Sequence, residues 1–295
     1  MMLSLRLLSA AIGSIVAVTG VPVQAQVVRD IPLNGQTIRE AWTKQYHGAP
    51  MPSVLAELDR LWARRDLITL MSRLRGELRA EKVFLDLNWE RARVLEGAGY
   101  PMVNSYMQDL FRLGSAVPAK DGEDLKQAAG MMFAYGFNLI TLDGLKCADR
   151  SAPSHWRDQL MLQNPDITSF IVSSSRAARM YMGTISLAFE AATSSLRTND
   201  EVLCGGGLAE ISAALLANGD KPLQPLPLPP GMSGKSYSVP SPPGCKAKFV
   251  GEQIWRPKQN EVRVNLAALL TKLLTIPSES QPSGTASPPV KAEQR

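Results

Sequence analysis

At 295 residues, 45% apolar and 20% charged, the chain is long enough for a helical core that needs neither metal nor dense cross-linking. Its net charge of +5 comes from 32 basic and 27 acidic residues. That excess is too small and too spread out for a nucleic-acid footprint, so no nucleic-acid partner is expected.

Residues 1–25 have the order of a cleavable secretory leader. Arg6 supplies a positive start, residues 7–18 are apolar, and Val23, Gln24 and Ala25 make a small-x-Ala exit that predicts a mature start at Gln26. Ser9, Gly13, Ser14, Thr19, Gly20 and Pro22 dilute the run below the roughly 20 consecutive apolar residues of an anchor. No other run is long enough to span a bilayer. A periplasmic or secreted location is therefore expected.

The mature chain then gives a succession of helical signals. Ile38, Trp42 and Tyr46 form a stripe ended by Gly48, Pro50 and Pro52. Ser53 suits a helix start before Val54, Leu55, Leu58, Leu61 and Trp62, and Asp66 caps a helix carrying Leu67, Met71, Leu74 and Leu78. A third helix from Ala80 turns Val83, Phe84, Leu87, Val94 and Leu95 inward and stops at Gly97 and Gly99. Asp66, Glu77, Glu81, Asp86 and Glu90 alternate with nine basic residues from Arg60 to Arg93, a mixture that predicts solvated faces. Surface pairs of this kind contribute about 0.2–0.5 kcal/mol each.

Pro101 opens a fourth helix through Tyr106 and Phe111 to Gly114, and Asp121 or Gly122 opens a fifth reaching Cys147. Pro153 and His155 mark a turn and short helix, with Ser154 as its cap. Asn164, Pro165 and Asp166 begin what the pattern predicts as one long helix to Leu196, rich in small residues and central to the bundle. A shorter helix from Leu208 to Ala217 follows Gly205, Gly206 and Gly207. Pro222, Pro225, Pro227, Pro229, Pro230, Pro240, Pro242 and Pro243 then exclude helix or central strand, so an extended excursion is expected. A short strand over 247–250, a helix carrying Val262, Leu266, Leu269, Leu270 and Leu273, and a disordered tail over 277–295 complete the chain.

The expected fold is all-α. It is an irregular multi-helix bundle, with solenoid-like stacking of the first half as a variant. Its parts are a leader (1–25), a helical domain (26–221), a Pro-rich loop (222–244), a strand and helix packing on the domain (245–276), and the tail (277–295).

Three cysteines in an oxidising compartment allow one bridge. Cys245, beside the Pro-rich stretch, has the greatest reach, which favours pairing with Cys147 or Cys204. Cys204 ahead of three glycines and a helix start is also a candidate nucleophile, because aligned N–H groups lower a thiol's pKa. His155 is the candidate base, and the segment from Ser151 to His155 is an alternative catalytic set. The blander reading makes Cys204 a disulfide half and Asp149 and Ser151 local caps. Trp156 and Trp255 border loops and are candidates for a binding surface. Two histidines, and cysteines 57 and 41 residues apart, give no tight metal-ligand spacing, and no cofactor fingerprint occurs. The function expected is a non-catalytic interaction protein of a bacterial envelope with an unknown envelope partner. Alternatives are an enzyme using Cys204 or the Ser151–His155 segment, and a carrier of a small apolar ligand.

Overall fold

A computed structural model describes residues 53–77, 79–226, 235–239 and 246–275. The leader, the stripe of Ile38, Trp42 and Tyr46, Cys245, most of the Pro-rich stretch and the 277–295 tail lie outside the described residues. The described chain is all-α with one small sheet. Its helices are α1 (Ser53–Ala63), α2 (Leu67–Gly76), α3 (Ala80–Leu95), α4 (Tyr100–Ala116), α5 (Ala119–Asp143), α6 (Ser151–Leu162), α7 (Pro165–Ser173), α8 (Arg176–Thr193), α9 (Leu208–Asn218) and α10 (Glu252–Leu274). A 3-10 turn, Gly144–Lys146, follows α5. The sheet is an antiparallel pair, β1 (Gln224–Leu226) and β2 (Ser236–Ser238), within the expected excursion.

Local chemistry sets the helix limits. Asp66 caps α2 by accepting the backbone N–H of Thr69 at 3.2 Å. Helix α3 ends with Gly97 at φ +86°, where Ala98 N–H bonds to Arg93 O and Gly97 N–H to Val94 O. That is a Schellman ending, which a residue with a Cβ would strain. Pro101 sits in the first turn of α4, where its missing N–H costs nothing.

The centre of the bundle is α5, and not the small-residue segment that the sequence pattern favours. Helix α5 packs against α4, α6, α7, α8 and α10 and buries Leu125, Met131, Met132, Phe133, Tyr135, Leu139 and Ile140. The predicted helix from Asn164 to Leu196 is two helices. Ser174 Oγ bonds back to Phe170 O at 2.8 Å, closing α7, and Ser175 Oγ accepts Ala178 N–H at 3.1 Å, opening α8. Serine hydroxyls compete with the helical ladder for backbone groups, and here three in a row end one helix and cap the next.

Helix α10 begins at Glu252, well before Val262, and carries Pro257 inside it. Buried Gln259 ties it to α5 by donating to Leu142 O at 2.9 Å, beside the ladder bond that proline cannot make. The expected strand over 247–250 is reduced to one antiparallel bridge, Cys147 with Phe249, flanked by Ala148 N–H to Lys248 O and Val250 N–H to Lys146 O. No helix among the described residues is long and apolar enough to cross a membrane.

Candidate functional site

The segment between α8 and α9 gathers most of the residues singled out from sequence. Arg197, fully enclosed, donates to Asp143 Oδ2 at 2.7 Å and Glu190 Oε1 at 2.8 Å, and Arg263 of α10 adds a second bond to Glu190 at 3.0 Å. Three positions on, Asp200 Oδ1 accepts Val202 and Leu203 N–H, each at 3.0 Å, while its Oδ2 accepts Tyr100 N–H at 2.8 Å. Burial raises the Asp200 carboxyl above its ordinary value, with those three N–H groups opposing it. The half-buried acid caps α4 from a distance.

Cys204 is bonded to Cys147, with Cα atoms 5.0 Å apart across a separation of 57 residues. The expectation that Cys245 supplies one half is therefore corrected. Reach along the chain was the wrong criterion. The 3-10 turn after α5 and the turn after Asp200 hold Cys147 and Cys204 within bridging distance, both buried, before any loop needs to travel. With its sulfur in a cystine, Cys204 is no thiolate nucleophile.

Other members of the predicted catalytic set are engaged in hydrogen bonds across the fold. Ser151 Oγ donates to Asp149 Oδ1 at 2.6 Å and accepts Leu208 N–H at 2.7 Å, and Asp149 Oδ2 accepts Ala209 N–H at 2.8 Å. The two side chains thus cap α9 across the fold, about 60 positions along the chain. The Ser151 hydroxyl and the Ala209 and Ser151 N–H groups hold the Asp149 carboxyl below its usual range. Gly207, the residue before α9, must be glycine for this, since a Cβ there would overlap Asp149 Oδ2. Ser154 does not cap α6, because that helix begins at Ser151 and Ser154 Oγ bonds back to Arg150 O. His155 lies exposed on α6 with its ring against Trp156.

Trp156 and Trp255 are half-buried, and both are engaged. Trp156 Nε1 donates to Val202 O at 3.0 Å and its ring tilts against Tyr100 at 5.5 Å. The Trp255 ring has the Lys146 ammonium at 5.4 Å and the Arg256 guanidinium at 5.6 Å from its centroid.

All this holds a helix that itself holds little. Helix α9 (LAEISAALLAN) buries only Ala214 and packs extensively on no other element among the described residues. Leu216 is 84% exposed and Leu208 66%, with Ile211 and Leu215 exposed beside them. Its one charged side chain, Glu210, turns back to accept Gly206 N–H at 2.6 Å.

A second cluster went unread in the sequence. Asp86 and Glu90, predicted on a solvated face, are fully buried, and Asp109 of α4 is buried with them. Glu90 occupies the position between Leu87 and Val94 in the inward stripe of α3, and that was the available signal. Arg73 approaches Asp86 at 3.6 Å, and Arg112 binds Asp109 at 2.9 Å. Both oxygens of Asp86, both of Glu90 and Oδ2 of Asp109 have no hydrogen-bond partner. Burial raises Asp86 to about 6, against Arg73 and with help from Asp109. It raises Glu90 well above the carboxylate range, with Asp109 adding to the effect, and raises Asp109 despite Arg112. At the rim, Arg79, aided by Lys82, holds Glu77 at about 2.

Outside this cluster runs a polar groove of about 750 Å³ whose lining includes Ser53, Glu57, Arg60, Arg73, Glu77 and Lys82. Among the described residues, no three acidic, histidine or cysteine side chains are placed to hold a metal ion. No family model, curated protein or solved structure matches the chain.

Proposed function

We propose that the chain is exported, loses its first 25 residues and works as a non-catalytic interaction protein of a bacterial envelope. In this reading α9 is the element it offers to a partner protein that carries an apolar groove. The observation that carries the proposal is the contrast within α9. Its first turn is held by two remote side-chain caps and the segment just before it by a cystine, yet Leu208, Ile211, Leu215 and Leu216 are left in water. Positions i, i+3, i+7 and i+8 are the anchors by which one helix enters a groove.

Two other occupants fit less well. A helix lying on a membrane surface carries lysine and arginine on its polar face, and α9 has neither. Two copies meeting through one 11-residue helix would bury well short of the about 1,200–2,000 Å² of a stable interface. The buried cystine suits an oxidising compartment, which supports export. The bridge speaks against an enzyme built on Cys204, and the engagement of the Ser151 hydroxyl with Asp149 and Leu208 favours a cap over a nucleophile there. A carrier of apolar ligands wants an apolar cavity, whereas the groove at α1–α3 is polar.

The test is a photo-crosslinking side chain at position 216, introduced into the full chain in its native cells, with Leu162 of α6 as the exposed control. One protein adduct at 216, mapping to an apolar groove of that protein, and a mature start at Gln26 are expected. Adducts at twice the chain mass, adducts to lipid, equal adducts at both positions, or an intact Met1 would overturn the proposal.

A further inference from the structure

The buried acids of α3 and α4 have no part in the reading of α9, and their geometry raises its own question. Asp86 and Glu90 stand one turn apart on α3, and Asp109 faces them from α4. Arg73 comes from α2 and Arg112 from α4. Three buried carboxylates meet two guanidiniums at ion-pair distance, so 3 − 2 = 1 of them, Glu90, has no ion-paired cation.

The balance is tighter still, because both cations are shared. Arg73 also serves Glu57 and Glu77, each at 3.8 Å. Arg112 also donates to the backbone oxygens of Glu77 and Leu74. Also facing the cluster are Glu77, which adds to the rise of Asp86, Arg75 of α2, which opposes that of Asp109, and Ser105 and Tyr106 of α4 beside Glu90, with Arg91 of α3 near Tyr106. No water-facing route relieves Asp86 or Glu90, whose side chains are fully enclosed.

A buried charge without a partner costs several kcal/mol, and such a group holds its proton instead. Neighbouring buried carboxyls then titrate as one unit, with the proton shared among them.

We propose that Asp86, Glu90 and Asp109 form an acid-held joint, locked by a shared proton and loosened when that proton leaves. The helices it joins are α3 and α4, with α2 held through Arg73 and Arg112. Acid closes the joint. As the proton is lost, an uncompensated charge is left between α3 and α4, and α1–α3 separate more readily from the bundle. An exported protein meets the pH of its surroundings directly, so such a joint would couple the grooved face at α1–α3 to external acidity.

The test is native-state amide exchange of the mature chain from pH 5 to pH 8, corrected for intrinsic exchange, with Glu90→Gln and Asp86→Asn beside it. Protection of α3 and the facing half of α4 should fall about tenfold per pH unit while the proton is being lost, and stay level in Glu90→Gln. Protection of α8 and α10 should not follow. Should the variants fail to fold, infrared spectra of the wild-type chain decide the matter. A protonated carboxylic acid carbonyl band persisting at pH 6 and fading above it supports the joint. Protection independent of pH, equal slopes in wild type and Glu90→Gln, or absence of that band at pH 6 overturns it.

Discussion

Asp200 Oδ2 accepts the backbone N–H of Tyr100 at 2.8 Å, joining residues a hundred positions apart. Gly99, the residue before α4, brings no capping side chain of its own, and a Cβ there would overlap the Asp200 carboxylate. Helix α9 repeats the device, with Gly207 at the cap position and Asp149 and Ser151 in the role of Asp200. A helix start leaves four N–H groups without intrahelical partners. In both places the acceptor is contributed by a remote segment, so local capping also fixes tertiary structure.

Replacing Asp200 with alanine removes the Tyr100 contact and the two bonds that shape the turn toward Cys204. A lost cap costs about 0.5–2 kcal/mol, and stranding a buried N–H adds about 1–3. Urea unfolding should show a loss of about 2–4 kcal/mol with little change in slope. Asp200→Asn, oriented to serve Val202 and Leu203, should lose roughly half as much. A loss below about 0.5 kcal/mol in Asp200→Ala would show that water serves Tyr100 equally well.

Gly207→Ala tests the second cap. The new methyl would collide with Asp149 Oδ2 and crowd Ser151 Oγ, forcing both away from Leu208 and Ala209. Exchange of the first amides of α9 should quicken while the core of α5 is unaffected. Gly76→Ala is the control, since nothing lies within 4 Å of its added carbon and alanine is the better helix former. Equal exchange in Gly207→Ala and the wild-type chain would remove the remote cap.

The Cys147–Cys204 bridge closes a loop of 57 residues, for which chain entropy gives about 4 kcal/mol. Cys147→Ser or Cys204→Ser should lower the unfolding free energy by roughly that amount and release α9 first. Non-reducing peptide mapping should return Cys147 joined to Cys204, with Cys245 alkylated as a thiol. Recovery of any peptide joining Cys245 to either of the others within one chain would contradict the arrangement.

Where a structural signal is carried by neighbours in sequence, it was legible. Asp66, the Gly97–Gly99 stop and Pro101 each act within a few residues, and the helix limits they predict are the observed ones. Signals set by partners far along the chain were not. Asp149 does bond locally, accepting Ser151 N–H at 2.9 Å, but the sequence does not reveal that α9 begins beside it and Ser151. Cys147 and Cys204 meet because two turns meet, a fact no spacing encodes. For Glu90 position outweighs charge: Val83, Leu87, Glu90 and Val94 lie on one helical face and all are buried. A carboxylate on an apolar stripe is a buried carboxylate until shown otherwise.

The buried acids of α3 and the capping Asp149 act in opposite directions with pH. Asp149 and Glu77 are held below their ordinary values, so their contribution is present above the unfolded carboxylate range, about 3.9–4.3, and is lost as pH falls through the folded values, about 2 for Glu77. Asp86 and Glu90 are held above theirs, so their contribution is full below about 4 and is lost as pH rises, through about 6 for Asp86. The thermal midpoint should therefore peak between about pH 4 and 5 and decline on both sides, whereas proteins commonly peak between about 5 and 8. Glu90→Gln should flatten the upper limb alone, and Asp149→Asn should make the lower limb shallower without levelling it, because Glu77 remains. A midpoint that climbs steadily from pH 4 to pH 7 would mean that the acids of α3 are ionised in the folded chain, and that their charge finds compensation which Arg73 and Arg112 do not provide.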